Sequence, residues 1–147
     1  MSHTPNFSMP LLHAAQSQKE ITHNEALIII DALLVGSVMA VAGDPSMLTP
    51  ANGEAWIIDE SATGAWTGRA SQIAIFSEGG WRFARPVAGM RMLDRAAGLL
   101  RTFDGTQWLA PASVDSPSGG TIVDLEARSS LVALLTALRH AGLLAVT

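Results

Sequence analysis

Gln16-Ser17-Gln18-Lys19-Glu20-Ile21-Thr22-His23-Asn24-Glu25 runs directly into Ala26-Leu27-Ile28-Ile29-Ile30-Asp31-Ala32-Leu33-Leu34-Val35. The first half of this stretch is polar and rich in hydrogen-bonding groups; the second is almost entirely apolar around one aspartate. At the boundary, Thr22-x-x-Glu25 fits a capping box: the threonine hydroxyl accepts from the Glu25 amide, and the carboxylate reaches back to the Thr22 amide. The spacing predicts a helix over 23–41, stopped by Gly43-Asp44-Pro45. Leu27, Ile30, Leu34 and Val38 form one stripe of it, and Ile28, Ile29, Leu33 and Val35 fill most of the rest. A helix apolar all round is covered on several sides. In a short chain that means a sheet on one face or copies of itself. The run is far below the ~20 apolar residues of a membrane-spanning helix, so no membrane insertion is expected.

Composition points the same way. The chain has 147 residues, 48% of them apolar and 15% charged, with a mean hydropathy of +0.29. That charge fraction is well under the roughly 25% of ordinary globular domains, as expected where a partner covers surface that is normally polar. A homo-oligomer or larger assembly is the first expectation. A net charge of −4 argues against nucleic acid as a partner, because neutralising phosphates takes clustered Lys and Arg. Arg82, Arg85, Arg91, Arg95 and Arg101 do lie close in sequence, but strand alternation spreads such residues along a solvated face. Without cysteine there is no disulfide and no thiolate metal site. The opening residues lack the basic and apolar regions of a signal peptide.

In chain order, residues 1–12 read as an extended arm with Met9-Pro10-Leu11-Leu12 as an apolar anchor laid on a neighbour, followed by a short helix over 11–19. Beyond a loop at 43–53 the period changes to two. Strands are predicted at 54–60, 72–77, 81–86, 90–94, 99–103 and 107–109, with turns at Ser61–Gly64, Glu78-Gly79-Gly80, Arg95–Gly98 and Asp104-Gly105. This gives a small antiparallel meander, half-barrel or sandwich. Residues 110–120 form a Pro/Gly/Ser-rich linker. A second helix over 121–141 has Thr121, Asp124 and Glu126 at its start and a stripe of Leu131, Leu134, Leu135 and Leu138. Arg139 and His140 occupy its last turn, and Gly142 and Leu143 are placed for a Schellman ending. It is expected to bundle with sister helices or to dock on the β-domain. The fold class is therefore α+β, divided into a helical attachment region (1–42), a β-domain (43–111), a linker (112–120) and a C-terminal oligomerisation helix (121–147).

All four tryptophans fall in the β-region. Large rings fill the thin core of a small β-domain; flat indole faces also stack on sugar rings. Trp66, inside Thr63-Gly64-Ala65-Trp66-Thr67-Gly68, is the best surface position for such stacking, with Trp56 and Trp108 beside it. The histidines (His3, His13, His23, His140) lack metal-ligand spacing, and no phosphate loop, dinucleotide fingerprint or nucleophile elbow is present. Glu78 and Asp94 are the only acid pair considered for glycoside hydrolysis. No catalytic residues, no metal, no cofactor and no enzymatic activity are expected.

Two stretches carry a resemblance. Pro10-Leu-Leu-x-Ala-x-Gln16-x-Gln-Lys-Glu-x-Thr22-His-Asn-Glu-Ala-Leu27 with Asp31-Ala-Leu33 resembles the opening of the family catalogued as domain of unknown function 2793. Gly53-x-x-Trp56-Ile-Ile, Ala62-Thr-Gly-Ala-Trp-x-Gly68, Ile73-Ala, Gly80-Trp-x-Phe83 and Pro86-x-x-Gly89 continue the pattern, over about residues 9–109. The tail from Val123 to Leu143 is similar to C-terminal helices of phage structural proteins. The family occurs in phages, prophages and gene transfer agents of alphaproteobacteria. The resemblance thus implies a virion component: a tail fibre, head spike or fibre-base subunit, made in the host cytoplasm and found in the virion with other virion proteins. Two functional expectations follow: a self-assembling structural subunit, a homo-oligomer with a trimer preferred, with Leu27, Ile30, Leu34, Val38, Leu131, Leu134, Leu135 and Leu138 as contacts, or a module that binds host surface polysaccharide.

Overall fold

The computed structural model of the chain describes residues 3–12, 19–121 and 124–146. Over these residues it is an α+β fold. Helix α1 (Lys19–Leu34) is followed by two short strands, β1 (Ser37–Val38) and β2 (Val41–Ala42), then by β3 (Ala55–Ile58), β4 (Ile73–Ser77) and β5 (Gly80–Ala84). Strands β6 (Arg91–Asp94), β7 (Leu99–Phe103) and β8 (Trp108–Leu109) precede helix α2 (Leu125–His140). The six strands expected from alternation are thus present as β3 to β8. They do not form one antiparallel meander. Two open four-stranded sheets are ordered β1-β6-β7-β8 and β2-β3-β4-β5, and each contains one parallel pair, β1 with β6 and β2 with β3.

Both parallel pairs arise in a segment expected to be helical. Helix α1 ends seven residues before the predicted stop, because Gly36 adopts φ +67 and its N–H donates to Leu33 O at 3.1 Å, the C′ geometry that closes a helix. Residues 36–42 then run extended with a sheet on either side. Leu93 N donates to Gly36 O (2.9 Å) and Arg95 N to Val38 O (3.0 Å) on one flank. Met39 N donates to Ala55 O (2.7 Å), Ile57 N to Ala40 O (3.1 Å) and Asp59 N to Ala42 O (3.0 Å) on the other. One stretch of chain therefore stitches the two sheets together. Val38, expected as an oligomer contact on the apolar stripe of a long helix, is instead 1% exposed in β1 and belongs to the core.

The core has two parts. Ala32, Val38, Ala55, Ile57, Ile73, Ile75 and Met92 pack together, with Ile28, Ile29 and Leu33 of α1 and Trp108 against them. The opposite face of the β2–β5 sheet buries Trp56, Ile58, Ala74 and Trp66, the last delivered by a 3-10 turn at Gly64–Trp66. Because β3 and the first residues of β4 are covered on both faces, they read as continuous apolar runs.

Other expectations differ in detail. Helix α1 runs from Lys19, so Thr22 lies within it, and Glu25 pairs with Arg82 at 2.8 Å rather than closing a capping box. Of the short helix expected over 11–19, residues 13–18 lie outside the described residues, and Leu11 and Leu12 are not helical. The arm folds into a tight turn closed by a bridge between His3 and Pro10. Helix α2 begins at Leu125, capped by Asp124, whose side chain accepts from Ala127 N. It ends as expected: Gly142 N donates to Arg139 O (3.0 Å) and Leu143 N to Leu138 O (2.9 Å), the two bonds of a Schellman motif.

Nothing lies within 4 Å of a Cβ built on Gly36, so a substitution there meets backbone strain alone. Gly36→Val places a β-branched residue in the left-handed region and is expected to cost about 1–3 kcal/mol, read as a lower urea midpoint at unchanged m-value. A variant as stable as the parent would show that the chain can leave α1 by another route.

Candidate functional site

The polar residues of α1 hold the N-terminal arm. Asp31 is fully buried, and its carboxylate accepts from Thr4 Oγ1 (2.6 Å), Asn6 N (2.9 Å), Asn6 Nδ2 (2.9 Å) and Phe7 N (2.8 Å). Burial alone would raise its pKa; the hydrogen bonds from Thr4, Phe7 and Asn6 outweigh this and hold the carboxyl below its ordinary 3.8. Two turns earlier, Asn24 accepts from Leu12 N and donates to Leu12 O, both at 2.9 Å, as a neighbouring strand would. The arm also crosses directly over Gly53: a Cβ there would lie 2.5 Å from Pro5 Cγ. These residues were not singled out from the sequence. The signal available was a lone Asp inside the apolar half of the helix, which needs a partner when covered; Asn24 sits in the polar half and carried no such signal.

With the arm on one side and the sheets on another, α1 leaves a third face open. Ile30 and Leu34 are 47% and 61% exposed, and Leu27 beside them is half-buried. These are three of the four α1-region contacts expected for assembly, and Ile30 and Leu34 are the two left exposed. Helix α2 presents a matching stripe. Leu131 and Leu134 are exposed, and Leu135 and Leu138 half-buried. This helix is held mainly by polar contacts. Arg128 Nη2 donates to Gly119 O (2.7 Å), Arg139 Nη2 donates to Val114 O, Leu100 N donates to Gly142 O (2.9 Å) and Ala145 N to Ala112 O (3.0 Å). None of the helix's own residues is fully buried. The linker runs out alongside it, and the helix brings the chain back to β7.

The tryptophans proposed as a sugar platform are structural. Trp66 is 0% exposed and Trp56 5% exposed, and both meet the half-buried Trp81 edge-on, at ring centroid distances of 5.0 and 5.6 Å. Loop residues around Trp66 look like a surface turn in sequence, but the 3-10 turn inserts the ring into the apolar face of the β2–β5 sheet. Trp108 is a latch between the sheets, its Nε1 donating to Ser71 O at 2.9 Å. It also borders an open cleft of about 140 Å³ with Asp59, Glu60, Ser71, Arg101 and Gln107, smaller than the roughly 300 Å³ at which small-molecule pockets begin.

Asp94 accepts from Arg101 Nε (2.8 Å) and Ala97 N (3.1 Å), fixing the β6–β7 hairpin, while Glu78 sits exposed in the β4–β5 turn. Arg82 of β5 pairs with Glu25 and Arg101 of β7 with Asp94, so these two arginines are engaged in separate sheets. His3 is in the arm, His23 on α1 and His140 at the end of α2; His13 lies outside the described residues. Among the described residues no three His, Asp or Glu side chains are grouped to hold a metal ion, and no helix is long and apolar enough to cross a membrane.

Asp31→Asn keeps the shape of the side chain but turns a donor toward the donors of Thr4, Asn6 and Phe7. We expect a loss of about 3 kcal/mol at neutral pH. The folded pKa of Asp31 is lowered, so its contribution is complete above the ordinary 3.8 and is lost as pH falls through the folded value. In urea titrations the gap between parent and variant should be constant above that point and narrow below it. A gap independent of pH would contradict a charged Asp31 in the folded chain.

Set beside known families, residues 23–109 match the model described as "Protein of unknown function (DUF2793)". No curated protein matches the chain. The matched span begins inside α1 and ends with β8, taking in both sheets but neither the arm nor α2. It is shorter than the resemblance read over 9–109, and the string from Pro10 to Thr22 falls outside it. Since the match covers more than half of its length, the chain belongs to the DUF2793 family.

Proposed function

We propose that the chain is a structural, non-catalytic subunit of a phage or gene-transfer-agent particle: a tail-fibre, head-spike or fibre-base component assembling as a homo-oligomer, with three copies preferred. The observation that carries this reading is the pair of charge-free leucine and isoleucine stripes on α1 and α2, left open in a chain with only 15% charged residues. A helix of 16 residues without tertiary packing is marginal in water, so α2 draws its stability from being covered. The setting in a virion rests on the resemblance of the sequence strings to that family. The sugar-platform alternative loses its support, because Trp56 and Trp66 have no open faces and Trp108 is committed as a latch.

Truncation after Ala112 removes the linker and α2 while leaving both sheets and α1 in place. The shortened chain is expected to keep its near-ultraviolet tryptophan signature and to run as a monomer where the full chain runs as an oligomer. Oligomers of unchanged stoichiometry after truncation would remove α2 from the assembly.

A further inference from the structure

We infer that the cleft between α1 and the β4–β5 turn binds a small organic cation, an ammonium or amidinium group carried on an apolar body. The cleft measures about 380 Å³, above the roughly 300 Å³ at which small-molecule sites begin. Leu11, Ile21 and Ile28 make its apolar wall, and Glu25, Glu78 and Arg82 are the charged residues that line it. Ile21, Glu25 and Ile28 recur at helical spacing and so share one face of α1. Leu11 is brought to the opening by Asn24, which holds the backbone of the next residue, Leu12. The two-residue turn Glu78-Gly79, between the paired Ser77 and Gly80, supplies the far side.

Charge selects the ligand. Arg82 Nη2 is held by Glu25 Oε1 at 2.8 Å, and its Nη1 donates to the carbonyls of Gly79 (3.1 Å) and Trp81 (3.2 Å). The guanidinium is thus fixed and already neutralised. A Cβ on Gly79 would lie 2.7 Å from Arg82 Nη2, so the turn carries glycine where the guanidinium rests against it. Glu78 is exposed and enters neither ion pair of the described residues. Two carboxylates against one guanidinium leave the lining with one uncompensated negative charge, on Glu78. A cation that reaches Glu78 can lay its apolar body on Leu11, Ile21 and Ile28. A neutral ligand gains the apolar wall alone, and an anion meets a like charge. None of these lining residues belongs to the stripes proposed for contact between copies, so the site stands apart from the assembly reading.

Benzamidine, benzamide and benzoate have nearly the same shape and are cationic, neutral and anionic at neutral pH, so together they read charge. Each is titrated into the nitrogen-15-labelled full chain and followed by NMR at the Gly79 and Arg82 amides and the Asn24 side-chain amide. Benzamidine is expected to shift these signals saturably at millimolar concentration, benzamide several-fold more weakly, and benzoate without saturation. Glu78→Gln, a change in an exposed turn, is expected to weaken benzamidine by about twofold to fivefold and to leave benzamide unchanged, whereas Ile21→Ser weakens both. Equal affinity for the three probes, an unchanged affinity for benzamidine in Glu78→Gln, or no saturable shift with benzamidine would each overturn the proposal. A chain of monomer mass that still binds benzamidine in this order would uphold the site and remove only the assembly reading.

Discussion

Residues 36–42 are the constraint on which the rest of the molecule depends. A single segment is hydrogen-bonded on both flanks, accepting from β6 and the turn after it on one side and both donating to and accepting from β3 and the residue after it on the other, and so makes two open sheets into one body. Everything buried between the sheets, from Val38 and Ile57 to Met92, is placed by that double pairing. The turn at Gly36 is its precondition. A helix continued past Leu34 would leave the exposed backbone edges of β3 and β6 without partners, and unpaired strand edges are costly when covered and adhesive when open.

The clasp formed by Asp31 and Asn24 works on the outer side of the same helix. Charge-assisted bonds to a carboxylate are among the stronger hydrogen bonds available to a protein, and Asp31 collects four of them from Thr4, Asn6 and Phe7. Two polar residues thereby convert one side of an apolar helix into a seat for the arm, while the side facing the sheets is filled by Ile28, Ile29, Ala32 and Leu33. The third side is what remains for contact with other molecules. The division of α1 into these three faces explains why its composition is apolar nearly all round although the sheets cover only part of it.

Much of this was legible in the sequence. Alternation and turn chemistry located β3 to β8 closely, and the Arg139-His140 turn and the Gly142-Leu143 ending marked the end of α2, while its start, expected at 121, lies at Leu125 behind the Asp124 cap. The segment 36–42 was not legible, because Val35 to Ala42 is apolar without proline and continues a helical stripe as readily as it forms a strand; only Gly36 marked the break. Parallel pairing joins residues far apart in sequence and leaves no local signature. Trp66 was misplaced for a related reason. A Gly-rich string reads as surface, yet the same glycine freedom lets a 3-10 turn drive the indole into the sheet. The arm clasp was hidden because its two halves lie about 25 residues apart and neither is unusual alone.

On the function proposed above, the open stripes of α1 and α2 are surfaces made for other copies of the chain. Light scattering on the intact protein, well above and well below micromolar concentration, tests that claim most directly. A mass near three times 15.4 kDa that survives dilution is the predicted result. A mass of 15.4 kDa at every concentration would contradict it, since the leucines of α2 and the Ile30 and Leu34 side chains would then be facing water in the functional molecule.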